Sequence, residues 1–93
     1  MEKPTLAITV PCFNEELCVE STVKSLFEVI NDLIKKDKIK DDSFVYLIDD
    51  GSKDRTWELI CKMHGENPLV KGLKFVRNYG NQKAHIAGLL GVR

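Results

Sequence analysis

Residues 44–57 read FVYLIDDGSKDRTW, and the fold turns on how this stretch is read. The run from Phe44 to Ile48 is apolar without alternation, as expected of a parallel strand covered on both faces. Asp49 and Asp50 follow at once, and a carboxylate buried without a partner is costly. The run therefore predicts a strand that carries both acids to its carboxyl end. Gly51 and Ser52 then turn the chain, and Asp54 is placed as the cap of a helix running to about His64. That helix sets Trp57, Ile60, Cys61 and His64 on one side, with Gly65 and Pro68 as its stop.

Working outward, Leu6 to Val10 (LAITV) is a short strand rich in β-branched residues and closed by Pro11. Val19, Val23, Leu26, Phe27, Ile30, Leu33 and Ile34 then follow the i, i+3, i+4, i+7 stripe of an amphipathic helix. Asn14 is placed as its N-cap, with Glu15 and Glu16 on the positive first turn and Lys35 and Lys36 on the last. Residues 36–43 (KDKIKDDS) form a charged surface loop. Val70 to Val76 (VKGLKFV) is a third strand, with Lys71 and Lys74 outward, as suits an edge position. A third helix is predicted from near Asn81 through Ala84, Ala87 and Leu90 to the last residue. The order β-α-β-α-β-α implies an α/β fold, a Rossmann-like parallel sheet with right-handed crossovers and strand order 3-2-1. Because that third helix ends on LLGV without a cap, the chain reads as the amino-terminal part of a longer protein, truncated at residue 93.

The composition narrows the function classes. Fourteen basic residues balance fourteen acidic ones among 93, which argues against nucleic acid as a partner. No apolar run approaches the roughly 20 residues that cross a bilayer, and the amino terminus lacks a signal-peptide core. Cys12, Cys18 and Cys61 are odd in number and form no CxxC, so they suit reduced thiols in a cytoplasmic setting. His64 and His85 show no metal-ligand spacing.

In an open parallel sheet, ligands bind beyond the carboxyl ends of the strands. Three polar loops lie there: PCFNEE (11–16), DDGSKD (49–54) and RNYGNQK (77–83). The first contains no glycine, so it is not the GxGxxG loop of a dehydrogenase. It reads either as a helix start or as an aromatic ring for a base, with Glu15 for ribose hydroxyls. In the second loop, Asp49 and Asp50 either begin a turn or offer a carboxylate that only accepts hydrogen bonds. Such a group favours uracil or guanine, which present N–H at the facing position. In the third, Arg77 and Lys83 near a helix start read either as a diphosphate site or as a solvated surface.

Three motifs in this order carry a resemblance. TVPCFNEE, VYLIDDGSKDRT and RNYGNQKAHIAGL (77–89) resemble the opening of family 2 glycosyltransferases of the GT-A fold. The third motif is similar to that of the branch transferring a sugar from a nucleotide donor to a polyprenyl phosphate, as in dolichyl-phosphate mannose synthases and bactoprenol glucosyltransferases.

The resemblance implies that residues 1–93 form the nucleotide-sugar-binding part of a GT-A nucleotide-diphospho-sugar transferase domain. It implies a nucleoside site of Pro11, Phe13, Asn14, Glu15, Asp49, Asp50, Gly51 and Ser52, with Asp50 holding the base. Arg77, Asn78, Gly80 and Lys83 would lie near the donor phosphates or the acceptor. It implies a UDP- or GDP-sugar donor and Mg2+ or Mn2+, with the metal ligands and catalytic groups beyond residue 93. The acceptor would be a polyprenyl phosphate, or otherwise a polysaccharide or cell-wall glycan. The enzyme would work at the cytoplasmic face of a membrane, reached through parts outside this chain, and the 93-residue chain alone would be inactive. A non-catalytic nucleotide-binding domain of the same fold is the rival reading.

Overall fold

The computed structural model describes residues 3–77 and 84–91. The elements run β1 (Ala7–Cys12), α1 (Val19–Lys35), β2 (Phe44–Asp50), α2 (Thr56–Glu66), β3 (Val70–Arg77) and β4 (Ala84–Leu90). The strands form one sheet in the order β1-β2-β3-β4. The first three are parallel, so the 3-2-1 order expected from the sequence holds.

Both crossovers step in the same direction across the sheet, so right-handed connections put α1 and α2 on one face. The core lies there: Val19, Val23 and Ile30 of α1 and Ile60 of α2 pack with Val45 and Leu47 of β2. Each such side chain, fully buried, contributes roughly 1.5–3 kcal/mol. Burial along β2 consequently alternates, with Val45, Leu47 and Asp49 buried and Phe44, Tyr46 and Ile48 half-buried. The expectation that β2 is covered on both faces is therefore corrected: one face is sealed by helices and the other is lined by apolar side chains. Lys71 covers part of that second face, its ammonium 4.0 Å from the centre of the Phe44 ring.

The predicted third helix is also corrected. Residues 84–90 form β4, which pairs antiparallel with β3 across a register irregularity at Lys74/Phe75. Sequence periodicity alone admits both readings: Ala84, Ala87 and Leu90 lie at helical spacing, whereas Gly88 and Leu90 share one face of a strand. The strand is favoured by two close approaches to one side chain. A Cβ on Gly88 would lie 2.7 Å from the Trp57 ring, and one on Gly72 would lie 2.8 Å from Ile60 and 3.3 Å from Trp57. The indole thus lies across two glycines of neighbouring strands. With β4 in place, β3 is an inner strand, contrary to the edge position read from its lysines. The outer strands are β1 and β4, and Pro11 is accommodated because β1 is outermost.

The helix ends differ in detail from the sequence reading. α1 begins at Val19 after Cys18, which makes no capping side-chain bond, so Asn14 is not its cap. It closes at a left-handed Asp37 (φ 61°), with Lys38 N–H donating to the Leu33 carbonyl, a Schellman arrangement. α2 begins at Thr56 and runs through Gly65 to Glu66, so Gly65 does not stop it.

Candidate functional site

The carboxyl ends of β1 and β2 lie side by side, with Cys12 facing Asp49 in the register. Beyond them, residues 13–18 and 51–55 form two loops that hold each other. Asn14 adopts a left-handed backbone (φ 51°), a conformation asparagine tolerates better than most residues. Its N–H donates to Ser52 Oγ at 2.8 Å, and Lys53 N–H donates back to Asn14 Oδ1 at 2.8 Å. Ser52 N–H in turn donates to Asp49 Oδ1 at 2.8 Å.

A second set of bonds lies one step deeper. Glu15 N–H donates to Thr56 Oγ1 at 2.8 Å, and the Thr56 hydroxyl donates to Asp54 Oδ1. Thr56 N–H reaches the same Asp54 oxygen at 2.9 Å, and Glu16 N–H reaches Asp54 Oδ2 at 3.3 Å. The Glu15 carbonyl then accepts from the N–H groups of Cys18 and Val19 and so starts α1. Polar residues that the sequence offers as ligand groups are thus largely engaged in tying the loops together. Thr56 and Asp54 were absent from the predicted site. Their polarity is plain in the sequence, but their partners in the first loop are 41 and 38 residues away along the chain.

The two adjacent acids separate. Asp49 is fully buried; among the described residues, its second oxygen has no hydrogen-bond donor. Asp50, the last residue of β2, is exposed at the sheet's carboxyl edge. Gly51 takes a left-handed φ of 80°, which redirects the chain from strand to loop. Phe13 presents its ring to solvent at 56% exposure. The Glu15 carboxylate is oriented by the Cys18 thiol, which donates to Oε2 at 3.0 Å. That bond is the leading cause that raises the Cys18 thiol above its ordinary value.

Cys12 ends β1 and is buried. Burial pushes its thiol up to about 11, with the nearby charges of Asp49 and Glu15 adding to the effect. A protonated, enclosed thiol is no nucleophile at neutral pH. Pro11, Cys12 and Glu15 line a depression of about 200 Å³ together with Val19 and Thr22 of α1. A wider depression, about 730 Å³, lies at the opposite ends of the strands, lined by Phe44, Tyr46, His64 and Lys71.

The structure therefore brings together Pro11, Phe13, Asn14, Glu15, Asp49, Asp50, Gly51 and Ser52. Arg77 ends β3 at the same edge of the sheet, since Asp50 and Phe75 are register partners. Asn78, Gly80 and Lys83 lie outside the described residues. Among the described residues, no three His, Cys, Asp or Glu side chains converge where a metal ion could be held. None of their helices is long and apolar enough to cross a membrane.

The α/β sheet carries a glycine-free aromatic loop and an exposed acid at its carboxyl edge, and sequence comparison assigns the family. The glycosyl transferase family 2 model matches residues 7–92, and the chain belongs to that family. The uncharacterized glycosyltransferase YkoT of Bacillus subtilis (strain 168) is 51% identical over 87 residues, covering 94% of this chain and 26% of the relative. The prophage bactoprenol glucosyl transferase homolog of Escherichia coli (strain K12) is 34% identical over 84 residues, covering 90% and 26%. The dolichyl-phosphate beta-glucosyltransferase of Dictyostelium discoideum is 32% identical over 87 residues, covering 91% and 26%. The chain spans about a quarter of the length of these curated relatives.

Proposed function

We propose that this chain forms the nucleoside-binding part of a glycosyltransferase that moves a sugar from UDP- or GDP-sugar to a polyprenyl phosphate. The observation that carries the reading is that Phe13 and Glu15, on the loop after β1, lie at the same edge of the sheet as Asp50, which ends β2. The Phe13 ring packs against the planar base. Asp50 accepts the base N–H that uracil and guanine offer and adenine lacks at that position. Glu15 accepts from the ribose hydroxyls. Arg77, Asn78, Gly80 and Lys83 belong to the same reading as contacts for the donor phosphates or the acceptor.

The polyprenyl acceptor is supported by the names of two relatives, a bactoprenol glucosyl transferase homolog and a dolichyl-phosphate beta-glucosyltransferase. A lipid-phosphate acceptor implies a reaction at a membrane surface, and the reading takes this to be the cytoplasmic face. Mg2+ or Mn2+ belongs to the reading as the charge that offsets the leaving diphosphate. Among the described residues no ligand set for it converges.

The test is a titration with UDP, GDP, ADP and NAD, followed by backbone amide shifts. UDP or GDP should move residues 11–15 and 49–52. Shifts caused only by ADP or NAD would refute the base-selection argument, and the absence of any binding would refute the nucleotide site.

A further inference from the structure

We infer that Thr56 is a positioning residue of the nucleoside pocket, acting through the Glu15 amide; this rests on the functional reading above. Thr56 is the first residue of α2 and is fully buried. Its hydroxyl has both of its roles fixed by its neighbours. The Asp54 carboxylate can only accept, so the Thr56 hydroxyl donates to it. The Glu15 N–H can only donate, so the same oxygen accepts from it at 2.8 Å. The result is an oriented relay from Asp54 through Thr56 to the backbone of Glu15.

That backbone is the junction of the site. On one side Glu15 adjoins Asn14 and Phe13, the left-handed turn and the exposed ring. On the other, its carbonyl starts α1 through Cys18 and Val19. Thr56 therefore fixes where the first loop stands relative to β2 and its terminal Asp50, while touching no part of the base itself. The neighbouring bonds from Ser52 and Asn14 control the outer turn, whereas the Thr56 relay holds the Glu15 N–H. A hydroxyl is essential to this arrangement. Valine has the same shape and can neither accept from Glu15 nor donate to Asp54.

The experiment compares the intact protein with Thr56→Val and Thr56→Ser, well below the melting temperature of each. Three quantities are read: hydrogen exchange of the Glu15 amide, the dissociation constant of the preferred nucleotide (UDP or GDP), and its ratio to that of ADP. Thr56→Val should speed Glu15 exchange at least tenfold, weaken the preferred nucleotide about tenfold, and shrink its advantage over ADP. Thr56→Ser should restore all three to within about threefold. A purely structural role predicts a lower melting temperature with the base preference unchanged, and that result overturns the proposal. Fast Glu15 exchange with full affinity overturns it as well. If the unmodified protein binds neither UDP nor GDP, the functional reading falls first, and the proposal with it. Should Thr56→Val fail to fold, Thr56→Ala removes the same hydroxyl without added bulk, and the same outcomes apply.

Discussion

Asp49 and Asp50 are consecutive residues of β2 that face opposite ways: the first is fully buried and accepts the Ser52 N–H at 2.8 Å, and the second is exposed. On the proposed reading, the pair separates fold from recognition. Asp49→Ala removes the acceptor of a buried loop bond and should cost about 1–3 kcal/mol in urea unfolding. Asp50→Asn should weaken UDP or GDP about tenfold with a smaller stability loss than Asp49→Ala. Equal stability losses at the two positions would contradict this division.

Gly72 and Gly88 report on how α2 packs across β3 and β4. A methyl on Gly72 would lie 2.8 Å from Ile60, which is fully buried, and one on Gly88 would lie 2.7 Å from Trp57. Each alanine substitution should destabilise by about 1–3 kcal/mol. If residues 84–90 formed a helix away from Trp57, Gly88→Ala would instead stabilise by up to about 1 kcal/mol. Thermal or urea unfolding of the two variants distinguishes these outcomes.

Gly51 is a different case, because space is not the constraint. An added Cβ would meet only the Phe75 carbonyl oxygen at 3.7 Å, but φ is 80°. Gly51→Ala should cost about 1–2 kcal/mol through backbone strain alone, and Gly51→Asn distinctly less.

Two groups give stability a pH dependence of opposite sign. The Cys12 thiol ionises at an ordinary value of 9.0 when unfolded and is held up to about 11 in the fold. Its contribution is therefore complete below pH 9 and falls away as pH rises toward 11. Cys12→Ala should flatten that alkaline limb, and Cys12 should alkylate more slowly than exposed Cys18 and Cys61. For Asp54, burial acts upward, but hydrogen bonds from Thr56 and Glu16 outweigh it and leave the carboxyl below its ordinary 3.8. Its contribution is present above that value and is lost as pH falls through the lowered one. Denaturation midpoints measured across pH check both limbs.

Much of this was legible in the sequence, for local reasons. The apolar run 44–48 and the α1 stripe carry their periods within themselves, and DDGS signals a turn wherever it occurs. What stayed hidden depends on distant partners. Asn14 has the residue type of a helix cap, yet its acceptor serves Lys53, 39 residues later. Ser52 looks like a ligand group, yet its oxygen is taken by the Asn14 N–H. Ala84 to Leu90 fits two periods, and only the indole of Trp57 selects between them. Lys71 and Lys74 suggested a wet edge, but one lies over Phe44 and the other 6.0 Å from the centre of the Trp57 ring.

The clasp between the two loops also has a kinetic meaning. Its cross-loop bonds join residues 38 to 41 positions apart, so none can form until β1 and β2 are already in register. Contacts of this kind are expected to form late in folding, after the strand pairing they depend on. Substitutions in the clasp should accordingly speed unfolding and leave the refolding rate nearly unchanged. A nucleotide bound there would act in the mirror sense, slowing unfolding, so its residence on the protein would itself lengthen the lifetime of the native state.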